Sequence, residues 1–262
     1  MKVAAAFFLA LVSACNTDSS APHLARGNVL VNNGKREEAA AEYREAARLA
    51  PKSAAARERL GDTLYDLGHR DEALAAYREA AAVDPDSITA RIGAARVLGD
   101  RGDYAGARAE LSAGLSKAPT NLFMLLSRGN YAARAGDRGA AIQDYTLAVN
   151  LKSDNAPALY QLGSALLESG DLAAAERTFD RLIAVAPSSP EGHFGRARLL
   201  AARGERANAA QALAAAEKLV EPDARTRLAE QGLKGDALEQ ASREAVQRSL
   251  AQMQRDPAFA KQ

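Results

Sequence analysis

The chain has 262 residues, with 34 Lys plus Arg against 33 Asp plus Glu, three His and a single Cys. A formal net charge of +1 provides no basic field for nucleic acid, and one cysteine excludes a disulfide within the chain. His23, His69 and His193 share no metal-ligand spacing, so no metal, no cofactor and no small-molecule substrate is expected.

At the start, Lys2 precedes an apolar run from Val3 to Val12, too short to span a bilayer. Val12-Ser13-Ala14-Cys15 follows. Residues 1–14 read as a signal peptide, and 15–19 as a modified cysteine with a short polar tether. The four residues ending at Cys15 resemble the lipobox of bacterial lipoproteins. The resemblance implies cleavage before Cys15 and a diacylglycerol on its thiol, with palmitate among the acyl groups of the anchor. More than one acyl chain gives stable anchoring. By the family's sorting rule, Asn16 in place of aspartate implies an outer-membrane location facing the periplasm.

From Ser20 onward the chain repeats. Gly34, Gly68, Gly102, Gly136, Gly170 and Gly204 are spaced by 34 residues, and an alanine follows each by five: Ala39, Ala73, Ala107, Ala141, Ala175 and Ala209. Each period predicts a helix A, a turn at the glycine and a helix B. Six units are expected: 20–53, 54–87, 88–121, 122–155, 156–189 and 190–223. A small residue lies seven places before each turn glycine: Gly27, Gly61, Ala95, Gly129, Gly163, Ala197. A bulky one lies four places after each alanine: Tyr43, Tyr77, Leu111, Tyr145, Phe179, Leu213. The turn glycine supplies a left-handed backbone that stops helix A. Pro51, Pro85, Pro119 and Pro187 stop helix B, while Ser153 and Glu221 stand at the same place in units four and six. Ser53, Ser87, Asn121, Asn155 and Ser189 are N-cap candidates for the next helix A. Leu182 occupies a small-residue position of helix B in unit five and Gly114 the same position in unit three, and these departures should loosen packing locally.

Residues 224–262 leave the register. A first piece near 224–233, a break at Gly235-Asp236, and apolar positions at Leu238, Ala241, Ala245, Leu250 and Met253 predict a C-terminal helix capping the sixth unit.

Leu60-Gly61-x2-Leu64, Ala73-x3-Tyr77 and Pro85 carry a resemblance to the tetratricopeptide repeat family, which extends over about three quarters of the chain. The family's tryptophan is missing, since the chain has none. The resemblance implies an all-α, right-handed superhelical solenoid with a concave groove lined by helix A, where repeat positions 2, 5, 9, 12 and 13 face a partner. Carried over, these positions name Ile92, Arg96, Phe123, Leu126, Asn130, Arg134, Tyr160, Leu167, Phe194 and Arg198. That set interleaves apolar anchors with polar groups, as suits an amphipathic partner segment. Units one and two offer a more acidic face, with Glu58, Asp62 and Asp66 beside Leu24, Asn28, Val31, Asn32 and Tyr65. Asp62 argues against the carboxylate clamp of the family's chaperone-binding members.

No catalytic constellation is present. The glycines follow helices and form no G-x-G-x-x-G run, and the acidic pairs Glu37-Glu38 and Asp71-Glu72 fall where a helix dipole favours them. The expected function is a non-enzymatic, membrane-anchored scaffold of the bacterial envelope binding one or more proteins. Its layout resembles the pilotin lipoproteins of type IV pili and the lipoproteins of tight-adherence pili. A periplasmic adaptor for peptidoglycan enzymes or proteases is the alternative.

Overall fold

The computed structural model describes residues 19–230 and four positions beyond, 234, 240, 244 and 251. The expected signal peptide, the expected lipidation at Cys15 and most of the expected C-terminal capping helix lie outside the described residues. Among those described, every regular element is an α-helix, twelve in all.

The helices pair as the period requires. Unit one holds α1 (Ala21–Asn32) and α2 (Arg36–Leu49), unit two α3 (Ala55–Asp66) and α4 (Arg70–Val83), and unit three α5 (Ile88–Asp100) and α6 (Tyr104–Lys117). Unit four holds α7 (Leu122–Arg134) and α8 (Arg138–Leu151), unit five α9 (Ala156–Ser169) and α10 (Leu172–Val185), and unit six α11 (Pro190–Ala202) and α12 (Arg206–Glu230). Where the sequence suggests one uninterrupted stack, the chain divides into two compact bodies, Met1–Met124 and Leu125–Gln262. Each is described by itself.

Local chemistry sets the turns. All six phased glycines have positive φ, from 76° at Gly34 to 87° at Gly170. Each sits in a Schellman closure, as where Gly34 N–H donates to Val31 C=O and Lys35 N–H to Leu30 C=O. Ser87, Asn121 and Asn155 cap the next helix A through their side chains, while Ser53 and Ser189 make no such bond to the helix. Helix B has its own caps at Asp103, Asp137 and Asp171, each accepting a backbone N–H three residues on.

Packing within a unit is keyed in pairs. Where helix B presents an aromatic ring, helix A presents glycine. A Cβ on Gly61 would come within 2.7 Å of Tyr77, one on Gly129 within 2.6 Å of Tyr145, and one on Gly163 within 2.6 Å of Phe179. Gly27 faces Tyr43 in the same way. In units three and six the ring is replaced by Leu111 and Leu213, and the glycine by Ala95 and Ala197. Volume is conserved across the contact, as close packing demands.

The same rule joins successive units, and it corrects the expectation of loosened packing at Gly114 and Leu182. Ala80 on helix B of unit two packs with Ala90 on helix A of unit three. At the next equivalent place Gly114 faces Met124, whose Sδ would lie 2.7 Å from an added Cβ. Further on, Ile183 and Leu182 face Gly192, with Ile183 Cγ1 2.8 Å and Leu182 Cγ 3.4 Å from an added Cβ. Met124 and Leu182 are both fully buried. Each departure is offset by the residue across the junction.

The last helix differs from the reading too. Unit six was expected to close near Asp223, but α12 runs unbroken to Glu230. The stop proline of the other units is displaced by one, to Pro222, and the following Ala-Arg-Thr-Arg-Leu-Ala-Glu is rich in good helix formers. No described helix is long and apolar enough to cross a membrane.

Candidate functional site on the first helices

The first helix of each unit carries the predicted partner face. In the body 1–124 this is the surface of α1, α3 and α5; in the body 125–262 it is that of α7, α9 and α11.

Position 9 of the repeat, predicted as a partner contact, is first of all a structural position. Tyr43 Oη donates to Asn28 Oδ1 at 2.8 Å, Tyr77 to Asp62 at 2.6 Å, and Tyr145 to Asn130 at 2.7 Å. These rings are buried, so the hydroxyl needs an acceptor. Burial, and next the Asp62 carboxylate, push the Tyr77 hydroxyl far above its ordinary range. Where helix B carries Leu or Phe, position 9 changes to Arg96, Ser164 or Arg198. The two arginines reach back one period. Arg96 Nη2 donates to Tyr77 Oη at 3.0 Å and Asp62 Oδ1 at 3.4 Å, and Arg198 Nη1 to Ser164 Oγ at 3.2 Å.

Several predicted groove residues are thereby reassigned. Phe194 is 0 % exposed and Arg198 3 % exposed, so both belong to the interior of unit six rather than to a partner surface. The cause is the absence of bulk beside them, since Gly192 and Gly195 let neighbouring side chains close over α11. Tyr160 and Leu167 are half-buried against the Ala175, Phe179 and Leu199 cluster. Leu126 and Ile92 are also half-buried, whereas Phe123, at 60 % exposure, and Asn130 and Arg134 lie open. In the body 125–262 the accessible part of the face is therefore Leu126, Asn130 and Arg134 with the outer edges of Tyr160 and Leu167.

The face of the body 1–124 holds a cluster that sequence reasoning missed. The Tyr65 ring lies between two guanidinium groups, Arg70 and Arg96, each 3.8 Å from its centroid. Its hydroxyl donates to Asp100 Oδ2 at 2.5 Å, and that bond raises the Tyr65 pKa above the ordinary value. Asp62 and Asp100 are thus already engaged by arginine and tyrosine. The periodic spacing of Asp62, Tyr65, Arg96 and Asp100 was visible; their mutual contacts across units were not.

Among the described residues, no group of three His, Cys, Asp or Glu side chains is placed to hold a metal. The chemistry these faces offer is hydrogen bonding and apolar contact. With Oδ1 of Asn28 and Asn130 accepting from tyrosine, each amide turns its Nδ2 hydrogens outward as donors.

Models of the tetratricopeptide repeat match residues 24–88, 66–128 and 160–224, together more than half of the chain. The chain belongs to the tetratricopeptide repeat family. No curated protein sequence matches it. Solved tetratricopeptide structures share its fold at low identity. One from Parabacteroides merdae ATCC 43184 is 18 % identical with a TM-score of 0.65, covering 92 % of this chain and 96 % of its own. PilW, described as a widely conserved type IV pilus biogenesis factor, is 20 % identical with a TM-score of 0.60, covering 78 % of this chain and 92 % of its own. YrrB, described as having an unusual peptide-binding site, is 21 % identical with a TM-score of 0.58, covering 73 % and 98 %. PilF of Pseudomonas aeruginosa is 17 % identical with a TM-score of 0.59, covering 74 % and 88 %. Tetratricopeptide arrays are protein-interaction scaffolds, and this chain is built as one.

Proposed function

We propose that this tetratricopeptide protein is a non-enzymatic scaffold, lipid-anchored through Cys15 to the outer membrane on its periplasmic side, that assists assembly or localisation of a pilus or secretion complex. The observation that carries the binding role is the face around Asn130. Tyr145 orients its amide outward, between half-buried Leu126, Tyr160 and Leu167 and the exposed Arg134. Apolar anchors, a fixed amide donor and a cation suit a partner segment with a buried hydrophobic side chain and an acidic group nearby. The Val12-Ser13-Ala14-Cys15 sequence supports the anchor. The fold shared with PilW and PilF supports the pilus assignment.

The test is crosslinking of the full-length protein in native membranes, beside a variant carrying Leu126→Glu and Arg134→Glu whose helicity is checked by circular dichroism. Loss of a pilus or secretin component from the variant alone supports the reading. Retention of every partner removes this face from the function. Capture of peptidoglycan enzymes or proteases instead overturns the pilus assignment in favour of an adaptor role.

A further inference from the structure

A second surface lies on the side of helix A that faces its own helix B, at repeat positions 4 and 7. Five units place a basic side chain there, and three of them answer it with an acid at position 23 on helix B. In unit one, His23 Nδ1 lies 2.6 Å and Arg26 Nε 3.4 Å from the same Glu42 Oε2. In unit three, Arg91 Nη1 donates to Glu110 at 2.8 Å. In unit four, Arg128 grips both oxygens of the buried Asp144, at 2.9 and 2.6 Å. Unit two, with Ala76 at position 23, sends Arg57 instead to the Ser53 carbonyl and to Glu79.

Unit six repeats the basic pair of unit one, with His193 and Arg196 exactly five periods beyond His23 and Arg26 in the register. The answering acid is gone: the counterpart of Glu42 is Ala212. A cavity of about 450 Å³ opens there, lined by His193, Arg196 and Arg203, by the acidic Glu176 and Glu205, and by Ala212 among others. The other charged groups at its rim are already engaged. Glu176 is bound by Arg203 at 2.7 and 3.0 Å, which holds its carboxyl below the usual range. Arg196 Nη1 lies 3.2 Å from Asp180, which does not line the cavity, and Glu205 accepts from Asn208 at 2.9 Å. Among the described residues, no side chain hydrogen-bonds to the His193 ring.

We infer that this cavity in unit six is a binding site for a carboxylate supplied from outside the unit, held by His193 and Arg196 as Glu42 is held by His23 and Arg26. The volume falls in the range of small-ligand sites and exceeds what one carboxylate fills. A glutamate or aspartate side chain of a bound polypeptide, or a small free dicarboxylate, has the required chemistry. The site lies apart from the positions assigned to the partner face, so it does not depend on that reading.

The test follows the His193 imidazole resonances of the full-length protein by NMR. The probes are glutarate, a short peptide with one central glutamate, and the same peptide with glutamine. Saturable shifts with the glutamate peptide or with glutarate, absent with the glutamine peptide, support the site. Whichever of the two binds more tightly names the source. Ala212→Glu should rebuild the unit-one arrangement and abolish probe binding. Arg196→Gln, an exposed change that spares the fold, should weaken binding at least roughly fivefold, the loss of one charge-assisted hydrogen bond. Unmoved His193 resonances with both carboxylate probes, or equal response to the glutamine peptide, would overturn the inference.

Discussion

Gly114 and Met124 form one matched pair across the junction of units three and four, and their coupling can be measured. Gly114→Ala alone places a Cβ 2.7 Å from Met124 Sδ and 3.4 Å from its Cε. Overpacking of this kind costs about 1–3 kcal/mol. The gain in helix propensity from Gly to Ala returns about 1 kcal/mol, and the flexible thioether yields part of the rest. Met124→Ala alone empties a fully buried site, at about 2–5 kcal/mol. The value should lie high in that range, because the opposing glycine has no side chain to fill the void. The double variant restores alanine on alanine, the arrangement seen at Ala80 and Ala90. It should be more stable than the sum of the single effects by about 1–3 kcal/mol, the size of coupling between residues in contact. Urea unfolding of all four proteins, followed by helical circular dichroism with the slopes compared, gives the cycle. Additivity within about 0.5 kcal/mol would refute the claim that these residues compensate one another.

Three further outcomes are expected. Gly102→Val should destabilise the array by about 1–3 kcal/mol, since φ at this turn is +78° and a β-branched residue resists it; an unchanged thermal unfolding curve would contradict the turn. Stability should fall as pH rises above about 10, because Tyr77 and Tyr145 titrate higher in the fold than in the unfolded chain. These groups contribute their full share below the unfolded pKa and lose it as pH climbs toward the folded one. Replacing both tyrosines by Phe should flatten that alkaline limb, and an equally steep loss would assign it elsewhere. Cys15→Ser should release the protein from membranes or leave it uncleaved in cell fractionation; normal processing and retention would remove the anchor from the proposal.

The six units, their turn glycines and the pairing of helix A with helix B were legible because each needs one residue type at one phase. Glycine alone accepts the turn, and proline follows the end of helix B in units one, two, three and five. The candidate face was only partly legible. A repeat position says which way a side chain points, but not what the next unit sets in front of it. Phe194 and Arg198 carry groove positions, yet the glycines around them let neighbours close in. Asn28, Asp62 and Asn130 could have been read as tyrosine partners. Within this chain, Asn or Asp occurs at position 9 wherever Tyr fills the bulky place four residues after the phased alanine, and in no other unit. The Tyr65 sandwich could not, since it joins side chains from three helices. The extension of α12 was hidden by Pro222, which signals a stop that the structure does not make.

Units of identical length invite loss or gain of a whole period by recombination, and the matched junctions decide which such events leave a working chain. Excising unit three would drive Met124 onto Ala80. Excising unit four would leave Gly114 opposite Ala158, and excising unit five would leave Ala148 opposite Gly192, each with a hole where a side chain had been. Removing unit two sets Ala46 against Ala90, which fits. The order of the later units is therefore written into their contacts like a sequence of keyed couplings, and this array can shorten without repair only near its beginning.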